Sequence, residues 1–352
     1  MKELLTRVLA NTDVTIYLYE DEIGYSGPSS QLTPAVLEFL RENKSDLKKF
    51  LLQQPLAYYR NSGASEMTSS LARFRHGQQG NMFCIHPATG TPRCFKGMVA
   101  EITGPFAVYG VYAMGYGSSW ITHKSIQEMS AHYYNQIRCV QPEGPYLLCG
   151  YSLGGIIALE IAIMMQNAGQ LVDPVIIIDS RRRDGRSGSF FPRGRLSDNI
   201  SELPPYVWEF FLQMYIGDDF AKLISSRRHL EQLDIDQRFS FISDEAHKAK
   251  LLDPSWDSIY LRRVFEFQTT ILRAISAYES VKYEGDVVYF FAQDEENHSY
   301  VRDFLALVTG AVRIVPADGR HISMVMNKEN VAKLGQSISR VITTSQAMRA
   351  EK

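Results

Sequence analysis

Apolar positions follow two rhythms along this chain. Near the N-terminus Leu4, Leu5, Val8 and Leu9 recur at helical spacing, and Val14-Thr15-Ile16-Tyr17-Leu18-Tyr19 then alternates with period two, which predicts a strand. The acidic tip Glu20-Asp21-Glu22, followed by Ile23-Gly24-Tyr25, predicts a hairpin returning beside it. Thr33-Pro34 reads as N-cap and first residue of a helix with Val36, Leu37 and Leu40 on one face, and a further helix carries Leu47, Phe50 and Leu51. Residues 1–54 therefore read as a small α+β unit. A segment of that size buries only a marginal core, so contact with another chain is its expected use.

From Pro55 to Gly80 the chain turns polar and small, which predicts a linker over 55–80. Short apolar runs then alternate with longer helical patterns, the signature of an α/β fold on a parallel sheet. Strands are predicted at Phe83-Cys84-Ile85, 106–111, 146–149, 175–178, 287–291 and 312–315. The alternation breaks over about 190–280, where helical, aromatic-rich sequence (Trp208, Phe210, Phe211, Tyr215, Trp256, Tyr260, Phe265, Phe267) reads as an inserted lid. The large domain is expected to span 81–346.

Composition narrows the class. The 352 residues are 45% hydrophobic and 22% charged, with a formal net charge of -2, which gives no electrostatic reason to expect nucleic acid or an anionic membrane as partner. The start MKELLTRVLANTDVT lacks the features of a secretory signal, and no run reaches the ~18 apolar residues of a membrane helix. The expectation is a soluble, cytoplasmic protein. Cys84, Cys94, Cys139 and Cys149 are scattered without metal-like spacing, which predicts reduced thiols and no metal site.

The candidate chemistry centres on Gly150-Tyr151-Ser152-Leu153-Gly154. Alone, Gly-x-Ser-x-Gly is common. Here an apolar strand ends at Cys149 and a helical run begins after Gly154-Gly155, the strand–turn–helix context that exposes a serine hydroxyl at a helix N-terminus. A serine nucleophile needs a base, and the base an orienting carboxylate. His321 lies in Ala317-Asp318-Gly319-Arg320-His321, a loop leaving the last apolar strand; His298 sits in an acidic loop and reads as solvated. Asp179, at the end of its strand, is favoured as the acid over Asp294 in Asp294-Glu295-Glu296, because three consecutive acids more often form a solvated loop.

Together, Val140-Gln141-Pro142-Glu143-Gly144-Pro145-Tyr146, Gly150-Tyr151-Ser152-Leu153-Gly154-Gly155 and Ile178-Asp179-Ser180 resemble the thioesterase domains that terminate nonribosomal peptide and polyketide assembly lines. The resemblance implies an α/β-hydrolase fold and an acyl or peptidyl thioester as substrate. It also implies no cofactor bound by this chain, the phosphopantetheine arm being carried by a partner carrier protein. The acid of releasing members matches Asp179, whereas that of many stand-alone editing members matches Asp294. His86-Pro87-Ala88-Thr89-Gly90 is similar to the family's oxyanion loop, which assigns the backbone N–H groups of Ala88 and Leu153 to the oxyanion; Thr89 replaces the usual second glycine. Residues 1–54 resemble docking domains of the TubC type, which implies capture of an upstream synthetase's C-terminal tail.

Rival readings are a discrete editing thioesterase and a non-catalytic docking adaptor. Arg181, Arg182, Arg183, Arg186, Arg193 and Arg195 read equally as a partner contact or a solvated loop. Trp256-Asp257-Ser258-Ile259 resembles a phosphopantetheine attachment site but lacks the preceding glycines, and reads as a lid helix.

Overall fold

A computed structural model describes residues 33–52, 70–116, 122–181, 196–217, 233–254 and 256–350, together with Leu4, Leu5, Val8, 15–19, 22–26, 58–60, Phe220, Ala221 and Ile224. Thr15–Tyr19 (β1) and Glu22–Ser26 (β2) form the expected antiparallel hairpin, with Tyr19 opposite Glu22. Helices Pro34–Glu42 (α1) and Lys44–Leu52 (α2) follow. Thr33 caps the first, its hydroxyl accepting from the N–H of Val36 at 3.3 Å, and Pro34 occupies the position where a missing N–H goes unnoticed. Leu5, Ile16, Val36, Leu40 and Leu47 pack into a core of their own.

The stretch read as a linker carries two strands. Tyr58–Arg60 (β3) adds to the free edge of β1, giving the order β2-β1-β3. Leu71–Arg75 (β4) forms an edge of the main sheet. The linker expectation over 55–80 is corrected accordingly: five residues bearing Arg73 and Arg75 are too short and too charged to stand out as a strand before they pair. Residues 61–69 and the tip Glu20-Asp21 lie outside the described residues.

The main sheet continues with Asn81–Ile85 (β5), Ala107–Val111 (β6), Leu147–Tyr151 (β7), Val175–Ile178 (β8), Val287–Ala292 (β9) and Val312–Ala317 (β10), in the order β10-β9-β8-β7-β5-β6-β4. All neighbours are parallel except β4, which runs antiparallel to β6. Period two sends Phe83, Ile85 and Leu148 to one face and Met82, Cys84, Leu147 and Cys149 to the other. The first face is covered by helices Ile126–Val140 and Leu153–Asn167, the second by Phe95–Glu101 and Lys328–Ala350. Because both faces are buried, the strands read as near-continuous apolar runs, which is why the sequence betrays them.

Among the described residues between β8 and β9 lie the helices Pro205–Tyr215, Ile235–Lys248 and Ser258–Ala277. Their core is aromatic: Phe265 stacks on Trp208 with ring centroids 4.1 Å apart, and Phe211 and Phe239 meet its ring edge-on at 5.1 and 5.4 Å. Asp257 caps the third helix, accepting from the N–H of Tyr260 at 2.8 Å, and Ser258 is its first residue, so Trp256-Asp257-Ser258-Ile259 is a helix start. Among the described residues, no helix is long and apolar enough to cross a membrane.

Candidate active site

Ser152 joins β7 to the helix Leu153–Asn167 with φ 55° and ψ -122°, a region side chains avoid. Holding it there costs about 1–3 kcal/mol, so the surroundings must fix the turn. Its N–H donates to the carbonyl of Ile178 at 2.9 Å, and its carbonyl accepts from the Ser180 hydroxyl at 2.6 Å. The flanking glycines are required by contact. A Cβ on Gly150 would lie 2.1 Å from the Gly154 carbonyl oxygen, and one on Gly154 would lie 2.2 Å from that of Ile85.

Asp179 follows the last residue of β8, also at positive φ (43°), with its N–H donating to the Phe290 carbonyl at 2.7 Å. Its side chain is fully buried. Oδ2 lies 2.6 Å from Nδ1 of His321, and Oδ1 accepts from the Tyr300 hydroxyl at 2.6 Å and the Ala292 N–H at 3.0 Å. Burial alone pushes this carboxyl up. The bond to His321 and its charge, with those from Tyr300 and Ala292, outweigh that and hold it near a pKa of about 2. The ionised oxygen can only accept, so Nδ1 carries the ring proton and neutral His321 keeps Nε2 as acceptor.

The backbone of His321 is also held: its N–H donates to Glu295 Oε1 at 2.8 Å, and its carbonyl accepts from the Tyr151 hydroxyl at 2.7 Å. Asp294, the alternative acid, turns elsewhere. Its Oδ2 accepts from the N–H of Gly319 at 2.9 Å, bracing the turn before His321 instead of the ring. His298 is exposed, with Nε2 3.0 Å from the Ala292 carbonyl.

Ser152 and His321 border one cavity of about 420 Å³. Its floor includes Ala88 and Leu153, the two residues expected at the oxyanion, and its walls include Tyr116, Phe210, Tyr215 and Trp256. Leu153 is the first residue of its helix, so its N–H has no carbonyl one turn earlier to bond. The loop bearing Ala88 is tied down at both ends, by the Gly90 N–H on the Pro87 carbonyl (2.9 Å) and the Ala113 N–H on the Gly90 carbonyl (2.9 Å). The Tyr215 hydroxyl donates to the Thr89 carbonyl at 3.2 Å, linking the loop to the helix Pro205–Tyr215. His86 lies buried beneath, with Nδ1 2.7 Å from the Pro87 carbonyl and Nε2 2.8 Å from the Tyr133 hydroxyl. Burial lowers its pKa to about 4, so it is neutral near pH 7, with Nδ1 donating and Nε2 accepting.

Several neighbours were not singled out in the sequence: Tyr300, Tyr151, Ser180, Glu295 and the role of Arg181. Arg181 Nη2 lies 3.5 Å from Asp179 Oδ2 and 3.3 Å from Glu295 Oε1, with its guanidinium 4.3 Å from the Tyr300 ring centroid. The other arginines of that stretch, Arg182, Arg183, Arg186, Arg193 and Arg195, lie outside the described residues. Among the described residues no group of three or more His, Cys, Asp or Glu could hold a metal ion.

Residues 81–189 match the family model of the thioesterase domain. The chain is 38% identical over 104 residues to the dimodular nonribosomal peptide synthase of Bacillus subtilis (strain 168), covering 30% of this chain and 4% of that one. It is 33% identical over 180 residues to the microperfuranone synthase of Emericella nidulans, covering 48% and 18%. It thus spans a small fraction of these relatives' length. Among solved structures, a holo four-domain nonribosomal peptide synthetase bound to AMP and glycine aligns with a TM-score of 0.65 at 21% identity, over 88% of this chain and 22% of that one. The NocB thioesterase domain aligns with a TM-score of 0.53 at 18% identity, over 78% and 99%. The fold is the thioesterase-type α/β-hydrolase fold.

Proposed function

We propose that this chain is a serine thioesterase that takes an acyl or peptidyl chain from a carrier protein's phosphopantetheine thioester onto Ser152 and releases it in nonribosomal peptide or polyketide biosynthesis. The observation that carries this reading is the convergence of Ser152, on its strained strand-to-helix turn, with a His321 ring bonded to buried Asp179 at 2.6 Å, around one cavity. In this reading His321 Nε2 takes the Ser152 proton as Oγ adds to the thioester carbonyl, and Asp179 stabilises the imidazolium. The N–H groups of Ala88 and Leu153 receive the oxyanion. The C–S bond then breaks, the sulfur leaves with the proton from His321, and an ester on Ser152 remains. Water, or an amine or hydroxyl of the bound chain, gives its proton to His321 and displaces Oγ, yielding an acid or a ring.

Asp179 on the imidazole, with Asp294 on the turn, supports release over editing. Residues 1–54 are assigned as a docking unit for an upstream synthetase tail, with the catalytic unit taking in the edge strand Leu71–Arg75 and the chain acting in the cytoplasm. The hairpin, the Thr33 cap and the separate core support that assignment. The test is mass spectrometry of a carrier protein loaded with an acyl pantetheine thioester. Loss of the acyl group with wild-type protein and its retention with Ser152→Ala is the expected result; equal loss with both overturns the reading.

A further inference from the structure

We propose that Arg181 and Glu295 are positioning residues that form a charge-balancing pair around His321, setting the pH at which the base becomes active. The proposal rests on the reading of Ser152, His321 and Asp179 given above. Two carboxylates touch both His321 and Arg181. Oδ2 of Asp179 faces the imidazole Nδ1 at 2.6 Å and Arg181 Nη2 at 3.5 Å. Oε1 of Glu295 accepts from the His321 N–H at 2.8 Å and faces the same Nη2 at 3.3 Å. The Arg181 side chain is 14% exposed and borders the cavity that holds Ser152 and His321. At such depth charges are weakly screened, so each acts on the others more strongly than it would at the surface.

The consequence for His321 follows from sign. Asp179 at the imidazole and Glu295 at the His321 backbone N–H both carry negative charge that favours the protonated ring, which cannot take a proton from serine. A guanidinium on the same two oxygens offsets that charge and keeps the ring neutral at lower pH. Among the described residues, the other groups that bond or stack on the ring and its two carboxylates are uncharged or acidic. Tyr151 from β7 and Tyr300 from the helix Ser299–Leu305 are held neutral by burial, as is the Cys94 thiol on the cavity wall, while Asp294 bonds the turn at Gly319. Arg93 also borders the cavity, where its charge acts on the Tyr215 hydroxyl. Stacking of Arg181 on Tyr300 at 4.3 Å fixes the guanidinium in place without consuming its charge.

A packing role predicts something different, so the test reads a pH profile. kcat/KM for a soluble acyl thioester and the rate of Ser152 labelling by a fluorophosphonate are measured from pH 5 to 9 for wild type, Arg181→Met, Arg181→Lys and Glu295→Gln. Loss of the cation is expected to move the acid limb up by about one pH unit, loss of the anion to move it down by about half a unit, and the lysine variant to stay near wild type. Limbs that do not move, limbs that move in the same direction, or a lowered plateau with an unmoved limb overturn the proposal. If Arg181→Met fails to fold, Glu295→Gln and Arg181→Lys decide it alone. Failure of wild type to label at Ser152 at any pH instead overturns the reading beneath it.

Discussion

Tyr300→Phe isolates one bond of the site. It deletes the hydroxyl that donates to Asp179 Oδ1 at 2.6 Å while leaving the ring that packs in the core and carries Arg181. A hydrogen bond to an ionised group contributes about 1.5–3 kcal/mol, and Oδ1 keeps only the Ala292 N–H at 3.0 Å. A loss of about 2 kcal/mol corresponds to about 1.5 pH units in the folded-state pKa of Asp179. That pKa, about 2 in the intact protein, then moves close to the ordinary carboxylate value of 3.8. The sign follows from linkage: a depressed carboxylate pKa stabilises the fold above the unfolded value, and that contribution is lost as pH falls through the folded one. Chemical denaturation at pH 7 is expected to show the variant less stable by about 2 kcal/mol, with the two proteins converging as pH drops from about 4 toward 2. A difference below about 0.5 kcal/mol at pH 7, or one that grows on acidification, refutes the reasoning.

Asp179→Asn is expected to lower kcat by at least about a thousandfold by disturbing the His321 tautomer, whereas Asp294→Asn, which touches only the turn at Gly319, changes it by less than about tenfold. Steady-state kinetics on an acyl thioester reads both. His86 is neutral in the fold down to a pKa of about 4, whereas an unfolded histidine protonates near 6.5, so its titration leaves stability unchanged above 6.5 and withdraws about 3 kcal/mol as pH falls to 4. Equilibrium unfolding of His86→Gln between those pH values is expected to show a shallower loss. Gly154→Ala places a Cβ 2.2 Å from the Ile85 carbonyl oxygen, which cannot yield without moving β5, and destabilisation of about 3 kcal/mol or more with loss of activity is expected in thermal melts and turnover assays.

Which parts of this arrangement could be read from the chain follows from the range of the contacts involved. The turn at Ser152 was legible because its determinants are local: an apolar strand, glycines where backbones touch, and a helical run directly after. The parallel strands β5 to β9 were legible because burial on both faces leaves near-continuous apolar runs, whereas β10 was legible from its apolar Val312, Ile314 and Val315 although most of it is exposed. The edge strand Leu71–Arg75 was not, since its single partner is β6, its residues are at most half-buried and Arg73 is exposed. Tyr300 and Glu295 were also illegible. Each reaches its partner across more than a strand and helix of sequence, and nothing near Tyr300 marks it as a partner of Asp179. The run Asp294-Glu295-Glu296 is solvated as read, with Asp294 and Glu296 exposed, but the sequence did not mark the acceptance by Asp294 and Glu295 of the Gly319 and His321 N–H groups.

The claim that Ser152 is the nucleophile is tested most directly by fluorophosphonate labelling of the intact chain followed by peptide mass spectrometry. The account predicts one adduct, on the peptide containing Ser152, formed by wild type, abolished in Ser152→Ala, and slowed at least about a hundredfold in His321→Ala. An adduct on another residue, or labelling of Ser152 that does not depend on His321, would contradict it.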